Sequence, residues 1–568
     1  MPHDMAEGGG TESAPPVPAK RGMGWRLWAV IAVVVILVIA GAAYYLTRGG
    51  PSRDTKTLVY YMQSEPLTMD SSDAYDLWSF IAIQNTYDTL VGYKTDSLQL
   101  VGVLAQSWDI LDAQHYVFHI RHGVKFWDGS NFTANDVYAS FRKVLIENSP
   151  ESGVAWILNQ NLDASNIPGS LWVKDTFTIQ MNLTVAYAGF LQTLATVEPS
   201  AIMSGAWITA NGGVQPNTAN DFIKHNTMGT APYYMKASDW VAKDHMTLHK
   251  NPYFWRGWTG TEPETVVIRF TNDASSRVEA IRTGAADLAD LPLSSVSQVS
   301  GLAGVVAKAN DTVKSEIVSM NVTNAYMADN ATGQLVRQAF SYAFDYNATI
   351  ANDYAGFATL LPGPIPKGMQ FFDQESQLYY QNLQKAGALL DQAGYTKNGQ
   401  GIRFGGYAFR LVADGTQVEE ANAARRFQTT LQSIGVQTNL QVTQSTDAWD
   451  AIRGSGTYDF FVAHWVLDYL DPDDYVTPMV MSAYAYAGDY WHTGFNNTTI
   501  NNYGNLARSE LNNATRAADY HIVWQTSMAN PNMIWFCQQQ YVPVHQSYVK
   551  GFWFNPVTWW NFYFYQKT

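Results

Sequence analysis

The chain has 568 residues and a formal net charge of -14; 46% of its residues are hydrophobic and 15% are charged. This length and apolar content indicate several domain-sized units with large cores, and they exclude a disordered acidic protein. The acidic excess argues against nucleic-acid binding, because Lys and Arg are needed to neutralise phosphates. The single cysteine, Cys537, excludes an internal disulfide and any multi-cysteine metal centre.

The first marked feature is an uncharged run of 20 residues at 27–46, LWAVIAVVVILVIAGAAYYL. At ~1.5 Å per residue, a helix of this length spans the ~30 Å hydrocarbon layer, so one transmembrane helix is predicted. Residues 1–26 are then a flexible cytoplasmic tail, since Lys20, Arg21 and Arg26 favour an inside N-terminus. A cleaved secretory signal is the alternative, although the run is longer than the usual ~7–15 residues. Either interpretation places everything from about residue 54 outside the cell.

N-x-Ser/Thr tripeptides agree with an exterior domain and predict a glycoprotein, although a chain rich in these residues also forms them by chance. They begin at Asn131, Asn182, Asn310, Asn321, Asn330, Asn347, Asn496, Asn497 and Asn513.

Beyond residue 54, short β-rich runs alternate with amphipathic helical patterns. The predicted strands are 57–62, 116–121, 126–129, 265–270, 402–411, 436–442 and 459–465. The predicted helices are 274–283, 334–344, 378–393 and 418–434, with another after Thr133, where Asp136 stands at the acidic position of a capping box. This alternation predicts α/β lobes with parallel or mixed sheets.

Seven ordered motifs in the exterior region resemble those of one family, the extracytoplasmic solute-binding proteins of the peptide/nickel/oligosaccharide class (family 5), which serve ABC importers. The resemblance covers about residues 57 to 550. The motifs are LAQSW at 104–108, YVFHIRHGVKFWDGSNFTANDV at 116–137, MGTAPYY at 228–234, NPYFW at 251–255, VRQAF followed by AFD at 336–345, LLDQAGY at 389–395 and WVLDYLDP at 465–472. The second of these is highly specific. In the third, Ala231 replaces a glycine of the family pattern.

The resemblance implies a two-lobed fold of the periplasmic-binding-protein kind, type II with an extra subdomain, that closes around a ligand. The first lobe would comprise 54–270, including the inserted subdomain, together with 478–568. The second lobe would comprise 271–477. The hinges would then lie at Phe270–Thr271 and in the loop near Asp471–Thr477.

The resemblance also implies the binding residues. In peptide-binding members, the aspartate of the WVLDYLDP motif pairs with the α-ammonium of the ligand and the tryptophan lies in the cleft. These positions are Asp468 and Trp465, and their neighbours Tyr469 and His464 are included in the predicted site. The alternative is that Asp468 belongs to a solvated acidic loop with Asp471, Asp473 and Asp474.

A second part of the site is expected at Tyr75, Asp76 and Leu77, where family members present backbone groups to an extended ligand by strand addition. A helix start or a loop at this position is the alternative.

The predicted function is therefore a membrane-anchored extracellular binding protein, and not an enzyme, that delivers peptides to an ABC permease and its ATPase. Alternatives are an oligosaccharide-binding protein of the same fold, a surface receptor and a hydrolase. No G-x-S-x-G, HExxH or P-loop motif occurs in the sequence, so energy for transport must come from a partner. A monomer without cofactor, metal or nucleic acid is expected.

Overall fold

A computed structural model describes residues 54–95, 97–148, 154–373, 379–483, 488–557 and 560–568. Within it, Thr55–Thr568 forms one compact unit. The predicted anchor at 27–46 and the tail at 1–26 lie outside the described residues. Among the helices of the described ranges, none has the length and apolar character needed to cross a membrane.

The strands are β1 (Thr57–Met62), β2 (Val91–Tyr93), β3 (Leu100–Gly102), β4 (Ala105–Asp112), β5 (His115–Ile120), β6 (Leu171–Asp175), β7 (Thr178–Asn182), β8 (Tyr233–Tyr234), β9 (Trp240–Val241), β10 (His245–Lys250), β11 (Thr265–Phe270), β12 (Leu288–Ala289), β13 (Val305–Ala307), β14 (Asn310–Met320), β15 (Ala358–Thr359), β16 (Ala408–Asp414), β17 (Gln437–Thr443), β18 (Phe460–Trp465), β19 (Met533–Tyr541), β20 (Val544–Gln546), β21 (Val549–Lys550) and β22 (Gln566–Lys567).

The α-helices are α1 (Leu77–Ile83), α2 (Ala134–Glu147), α3 (Ala155–Asn159), α4 (Ile167–Ser170), α5 (Phe190–Leu194), α6 (Val197–Ser200), α7 (Gly205–Ala210), α8 (Ala274–Thr283), α9 (Leu293–Val296), α10 (Ala331–Ala343), α11 (Tyr346–Ala348), α12 (Leu383–Gln392), α13 (Val418–Ser433), α14 (Thr446–Ser455), α15 (Asp473–Val480), α16 (Thr498–Ser509) and α17 (Asn513–Ala529).

Two large sheets organise the compact unit. The first sheet has the strand order β13-β20-β12-β1-β11-β10-β8, with β9 beside β10, and β1 runs parallel to both β11 and β12. The second sheet has the order β15-β19-β14-β18-β16-β17. A separate four-stranded sheet, β4-β5-β7-β6, forms between β1 and β11 in the chain. Each of these sheets has its own apolar core, as α/β layers require.

The strand pairing changes the predicted lobe boundaries. The strands β12 and β13 follow Phe270 in the chain but pair in the first sheet, and β19 follows Thr477 but pairs with β14 in the second. The chain passes from one large sheet to the other at 308–309 and at 542–543, not at the predicted hinges. Strands of two or three residues are too short to produce a recognisable sequence pattern. We therefore define the first lobe as 55–307 with 544–568, and the second lobe as 310–541.

Local sequence patterns account for most of the long elements. The predicted capping box is present at the start of α2, where the Asp136 carboxylate accepts hydrogen bonds from the Thr133 backbone N–H at 2.8 Å and from its hydroxyl at 3.0 Å. Residues 126–129 were predicted as a strand entering an Asp-Gly turn; the turn is present, with the Gly129 N–H bonded to the Phe126 carbonyl at 2.9 Å, but the strand is not. Phe126 N–H bonds to the Ser130 carbonyl in a turn, and the Trp127 ring stacks on Tyr234 with its centroid 4.4 Å away.

One predicted glycosylation site is not accessible. Asn321 is 2% exposed, and its side-chain amide donates to the Gly456 carbonyl at 2.9 Å. Its nitrogen is therefore not available for modification in the folded protein.

Two glycines in helices, one closely packed and one with space around it, allow a test of whether close packing fixes the start of α10. A Cβ at Gly333 would overlap the backbone of Ala328, whose nitrogen would be 2.6 Å away, whereas a Cβ at Gly387 in α12 would meet only Arg403 Nη2 at 3.6 Å. We expect Gly333→Ala to lower the free energy of unfolding by about 1–3 kcal/mol. Gly387→Ala should raise it by about 0.4–1 kcal/mol. Denaturant titration of both variants measures this, and a stabilising effect at Gly333 would contradict the close approach.

Candidate functional site

The loop that follows β18 is rich in aspartates, and it is not a solvated acidic loop. Asp471, Asp473 and Asp474 are each 0% exposed. Buried carboxylates are costly unless cations or hydrogen-bond donors compensate them. The four aspartates of this loop, Asp468, Asp471, Asp473 and Asp474, differ in which cations or hydrogen-bond donors compensate their charge.

Asp471 and Asp473 are each paired with a buried arginine of the second lobe. Arg516 on α17 donates two hydrogen bonds to the Asp471 carboxylate, of 2.8 and 2.7 Å. Arg508 on α16 has its Nη1 atom 3.1 Å from Asp473 Oδ2. The Tyr469 hydroxyl also donates to Asp473 Oδ2 at 2.9 Å. These aspartates therefore hold the loop against two helices.

Asp474 is buried without such a partner. Its Oδ2 accepts hydrogen bonds from the Asp468 backbone N–H at 3.0 Å and from the Trp465 indole N–H at 3.3 Å. Its Oδ1 is buried and has no hydrogen-bond partner. Burial, and then the neighbouring Asp468 charge, raise the pKa of Asp474 well above its usual range.

Asp468 lies where the two lobes meet. The Tyr75 hydroxyl from the first lobe donates to Asp468 Oδ2 at 3.2 Å, and Thr196 Oγ1 donates to the Asp468 carbonyl at 2.8 Å. Burial raises the pKa of Asp468 to about 7, and the Tyr75 hydrogen bond acts in the opposite direction. Within the described ranges, neither Asp468 nor Asp474 forms an ion pair with Lys, Arg or His. The two carboxyl groups therefore lie where the lobes meet without a cation, and their raised pKa values mean that near neutral pH they are at most partly ionised.

The structure brings together some of the predicted residues. Trp465 is buried and contacts Asp474 through its indole nitrogen, and Tyr75 reaches Asp468. Asp76 is the N-cap of α1, where it accepts hydrogen bonds from Trp78 N at 3.1 Å and Ser79 N at 2.9 Å. Leu77 is the first residue of that helix. The segment expected to offer a strand edge is thus a helix start in the structure.

His464 lies apart from the rest of the predicted set. Side chains alternate along a strand, so His464 and Trp465 point to opposite faces of the second sheet. His464 Nδ1 lies 2.5 Å from Glu420 Oε1 on α13. Burial, and then Lys314, lower the pKa of His464 to about 4, so its imidazole is neutral. Tyr469, through its bond to Asp473, stabilises the loop.

Sequence reasoning missed Glu198 and Asp474. Glu198 lies on α6, two residues beyond the Thr196 that contacts Asp468, and its Oε2 is buried without a hydrogen-bond partner. Burial raises the pKa of Glu198, and the charges of Asp468 and Asp76 raise it further. No local sequence pattern around Glu198 indicates that its side chain is buried near Asp468. Asp474 was recognised in the sequence only as one member of an acidic run.

Two lobes joined by two crossings, with a carboxyl pair that lacks a cation where they meet, are an arrangement typical of proteins that bind a ligand in a cleft. The sequence profile described as "Bacterial extracellular solute-binding proteins, family 5 Middle" matches residues 99–487. The chain belongs to this family.

Relatives of known name span nearly the whole chain. The probable D,D-dipeptide-binding periplasmic protein DdpA of Escherichia coli (strain K12) is 26% identical over 524 residues, which cover 88% of this chain and 92% of that protein. Heme-binding protein A of Haemophilus influenzae is 28% identical over 488 residues, which cover 83% of this chain and 84% of that protein.

Solved structures agree on the fold. The periplasmic binding protein DppA from Helicobacter pylori, in complex with the peptide STSA, superposes with a TM-score of 0.74 at 25% identity, covering 90% of this chain and 98% of that one. A dipeptide-binding protein from Pseudoalteromonas in complex with Met-Leu gives a TM-score of 0.74 at 18% identity, covering 90% of this chain and 100% of that one. The two-lobed α/β periplasmic-binding-protein fold is therefore confirmed.

The loop's buried ion pair provides a stability test. Asp471→Asn would leave the Arg516 guanidinium buried and uncompensated, so we expect the free energy of unfolding to fall by about 3–5 kcal/mol. The control is Asp450→Asn, which removes an ion pair to Arg453 whose aspartate is 53% exposed and should cost less than about 1 kcal/mol. Equal losses in the two variants, measured by denaturant unfolding, would show that Asp471 does not hold the loop.

Proposed function

We propose that this solute-binding protein captures peptides between its lobes and that Asp468 receives the α-ammonium of the ligand. The observation that carries the proposal is the carboxylate pair of Asp468, which is half-buried, and Asp474, which is fully buried; neither has a cationic partner among the described residues. A ligand ammonium would supply the missing charge together with N–H donors. A neutral sugar would supply hydroxyl donors but no positive charge.

Contacts from both lobes support this placement of the ligand's N-terminus. Tyr75 and Thr196 of the first lobe already contact Asp468 of the second, so a group bound at its carboxylate would be enclosed when the lobes close. Glu198 of the first lobe is a further buried carboxyl group, close enough to Asp468 for the charges of the two groups to interact. The names of DdpA and of the two peptide-bound structures are consistent with a peptide ligand.

We further propose that the protein acts while anchored to the cell membrane and hands its ligand to an ABC permease and its ATPase. The support is the apolar run at 27–46 together with membership of the extracellular solute-binding family. The anchor would keep the binding unit near the permease and raise its effective concentration there.

Calorimetry with two proteins and two peptides tests the ammonium site. We expect Asp468→Asn, which keeps the shape and removes the charge, to weaken binding of a free peptide by roughly thirtyfold or more, as truncating a buried charge pair does. An N-acetylated peptide should bind the wild type poorly for the same reason. The two changes together should cost less than their sum, because both delete one interaction.

The same experiment contains its refutation. If the free and acetylated peptides bind alike, or if the two losses are additive, Asp468 does not receive the α-ammonium and a neutral ligand becomes the better candidate. The Asp450→Asn protein, altered at an exposed aspartate, should bind both peptides as the wild type does.

The pH dependence of binding gives a second test. Because the pKa of Asp468 is about 7 without ligand, its carboxyl is protonated below that pH, and an ammonium ligand requires it to ionise. We expect affinity to rise about tenfold per pH unit between about pH 5 and pH 6 and to level off near pH 7. Above about pH 8 affinity should fall, as the ligand's α-ammonium loses its proton. In Asp468→Asn the acid limb should be flat; an unchanged acid limb would assign it to another group.

A further inference from the structure

Three neighbouring strands of the second sheet bring polar side chains into one row. In the antiparallel register, Glu316 on β14 lies opposite His464 on β18 and, on its other side, opposite Cys537 on β19. Directly opposed residues share a face, with their Cβ atoms about 4.5–5.5 Å apart. Glu420, in the first turn of α13, reaches the same place and contacts His464. The ligand site at Asp468 uses none of these side chains.

Each of the two carboxylates of this row is buried and has one oxygen without a hydrogen-bond donor. The side chains of Glu316 and Glu420 are 1% and 2% exposed. Oε1 of Glu316 has the Lys314 ammonium 3.0 Å away, whereas Oε2 of Glu316 and Oε2 of Glu420 have no hydrogen-bond partner. Since nearly all buried polar atoms in proteins are partnered, two orphaned carboxylate oxygens at one place need an explanation.

The charges at this place are also unbalanced. Lys314 Nζ lies 3.0 Å from Glu316 Oε1 and donates to Gln539 Oε1 at 2.6 Å. The acidic residues Asp414, at the end of β16, and Glu419, on α13, lie close enough to act on Glu420. One ammonium therefore stands among four carboxylic groups, and a further cation would be stabilised there.

We propose that Glu316, Glu420 and His464 bind one divalent transition-metal ion, with zinc the best match. One donor atom from each residue lies within 4.8 Å of the other two. A neutral imidazole nitrogen and two carboxylate oxygens are ligands that Zn²⁺ takes at about 2.0–2.2 Å, which places the donors about 3.4 Å apart.

Lys314 fits the site as a supporting residue. Its ammonium contacts Oε1 of Glu316, which leaves Oε2 for the ion, and ligating carboxylates are commonly held by such outer partners. The bound ion would join the N-terminus of α13 to strands β14 and β18. The ion would therefore be structural, and the sequence did not indicate it because its ligands come from three distant segments.

The number of zinc ions bound per chain tests the proposal directly. Full-length protein without a histidine tag is stripped with a chelator, dialysed against Zn²⁺ and then against buffer, and its zinc is counted by mass spectrometry. We expect about one zinc per chain in the wild type, and a melting temperature that rises with Zn²⁺. Affinity should fall by at least about tenfold in Glu420→Gln and in His464→Gln. X-ray absorption should show nitrogen and oxygen ligands, including one imidazole.

The matched control is His119→Gln, which alters an exposed histidine bonded to Asp109 at 3.0 Å and should keep the full zinc content. If Glu420→Gln fails to fold, His464→Gln decides, because that side chain is 28% exposed. The proposal is overturned if the wild type retains no stoichiometric zinc, or if both variants bind zinc as tightly as the wild type. Peptide binding plays no part in this test.

Discussion

A buried carboxylate requires a compensating partner, and this requirement organises the region where the two lobes meet. The loop after β18 carries four aspartates within seven residues, Asp468 to Asp474. Arg516 and Arg508 compensate two of them and thereby fasten the loop to helices α17 and α16. Because the loop is held in this way, Asp468 and Asp474 can be kept in place without cations of their own.

This arrangement couples charge to lobe closure. Tyr75 and Thr196 of the first lobe contact Asp468 of the second lobe in this structure, so separation of the lobes would break these contacts and expose the carboxylates to water. Without a ligand cation, the loss of hydration and the mutual repulsion disfavour the ionised forms of Asp468 and Asp474 in the closed state. We propose that a ligand ammonium reverses this balance, because a ligand shifts an equilibrium only by its differential affinity for the two states.

The sequence predicted most of the long elements and failed where pairing depends on tertiary context. Strands β1 and β11 were predicted with the bounds that the structure has, because apolar β-rich runs of six residues are unambiguous. The lobe boundaries were misplaced because β12 and β13 have only two and three residues. Among the site residues, Asp468 and Trp465 came from a motif. The roles of Glu198 and of the buried Asp474 depend on contacts between distant segments, which no local pattern contains.

Strand β18 shows how one short segment can serve two sites. Trp465 and His464 are adjacent, yet strand alternation sends the first toward Asp474 and the second toward Glu420. A one-residue slip of this strand would exchange the two faces and destroy both sites, so the register with β14 is under a double constraint. Substituting His464 should therefore leave ligand binding at Asp468 intact, provided that the register holds. The anchoring of β18 between β14 and β16 in the middle of the second sheet makes such a slip costly.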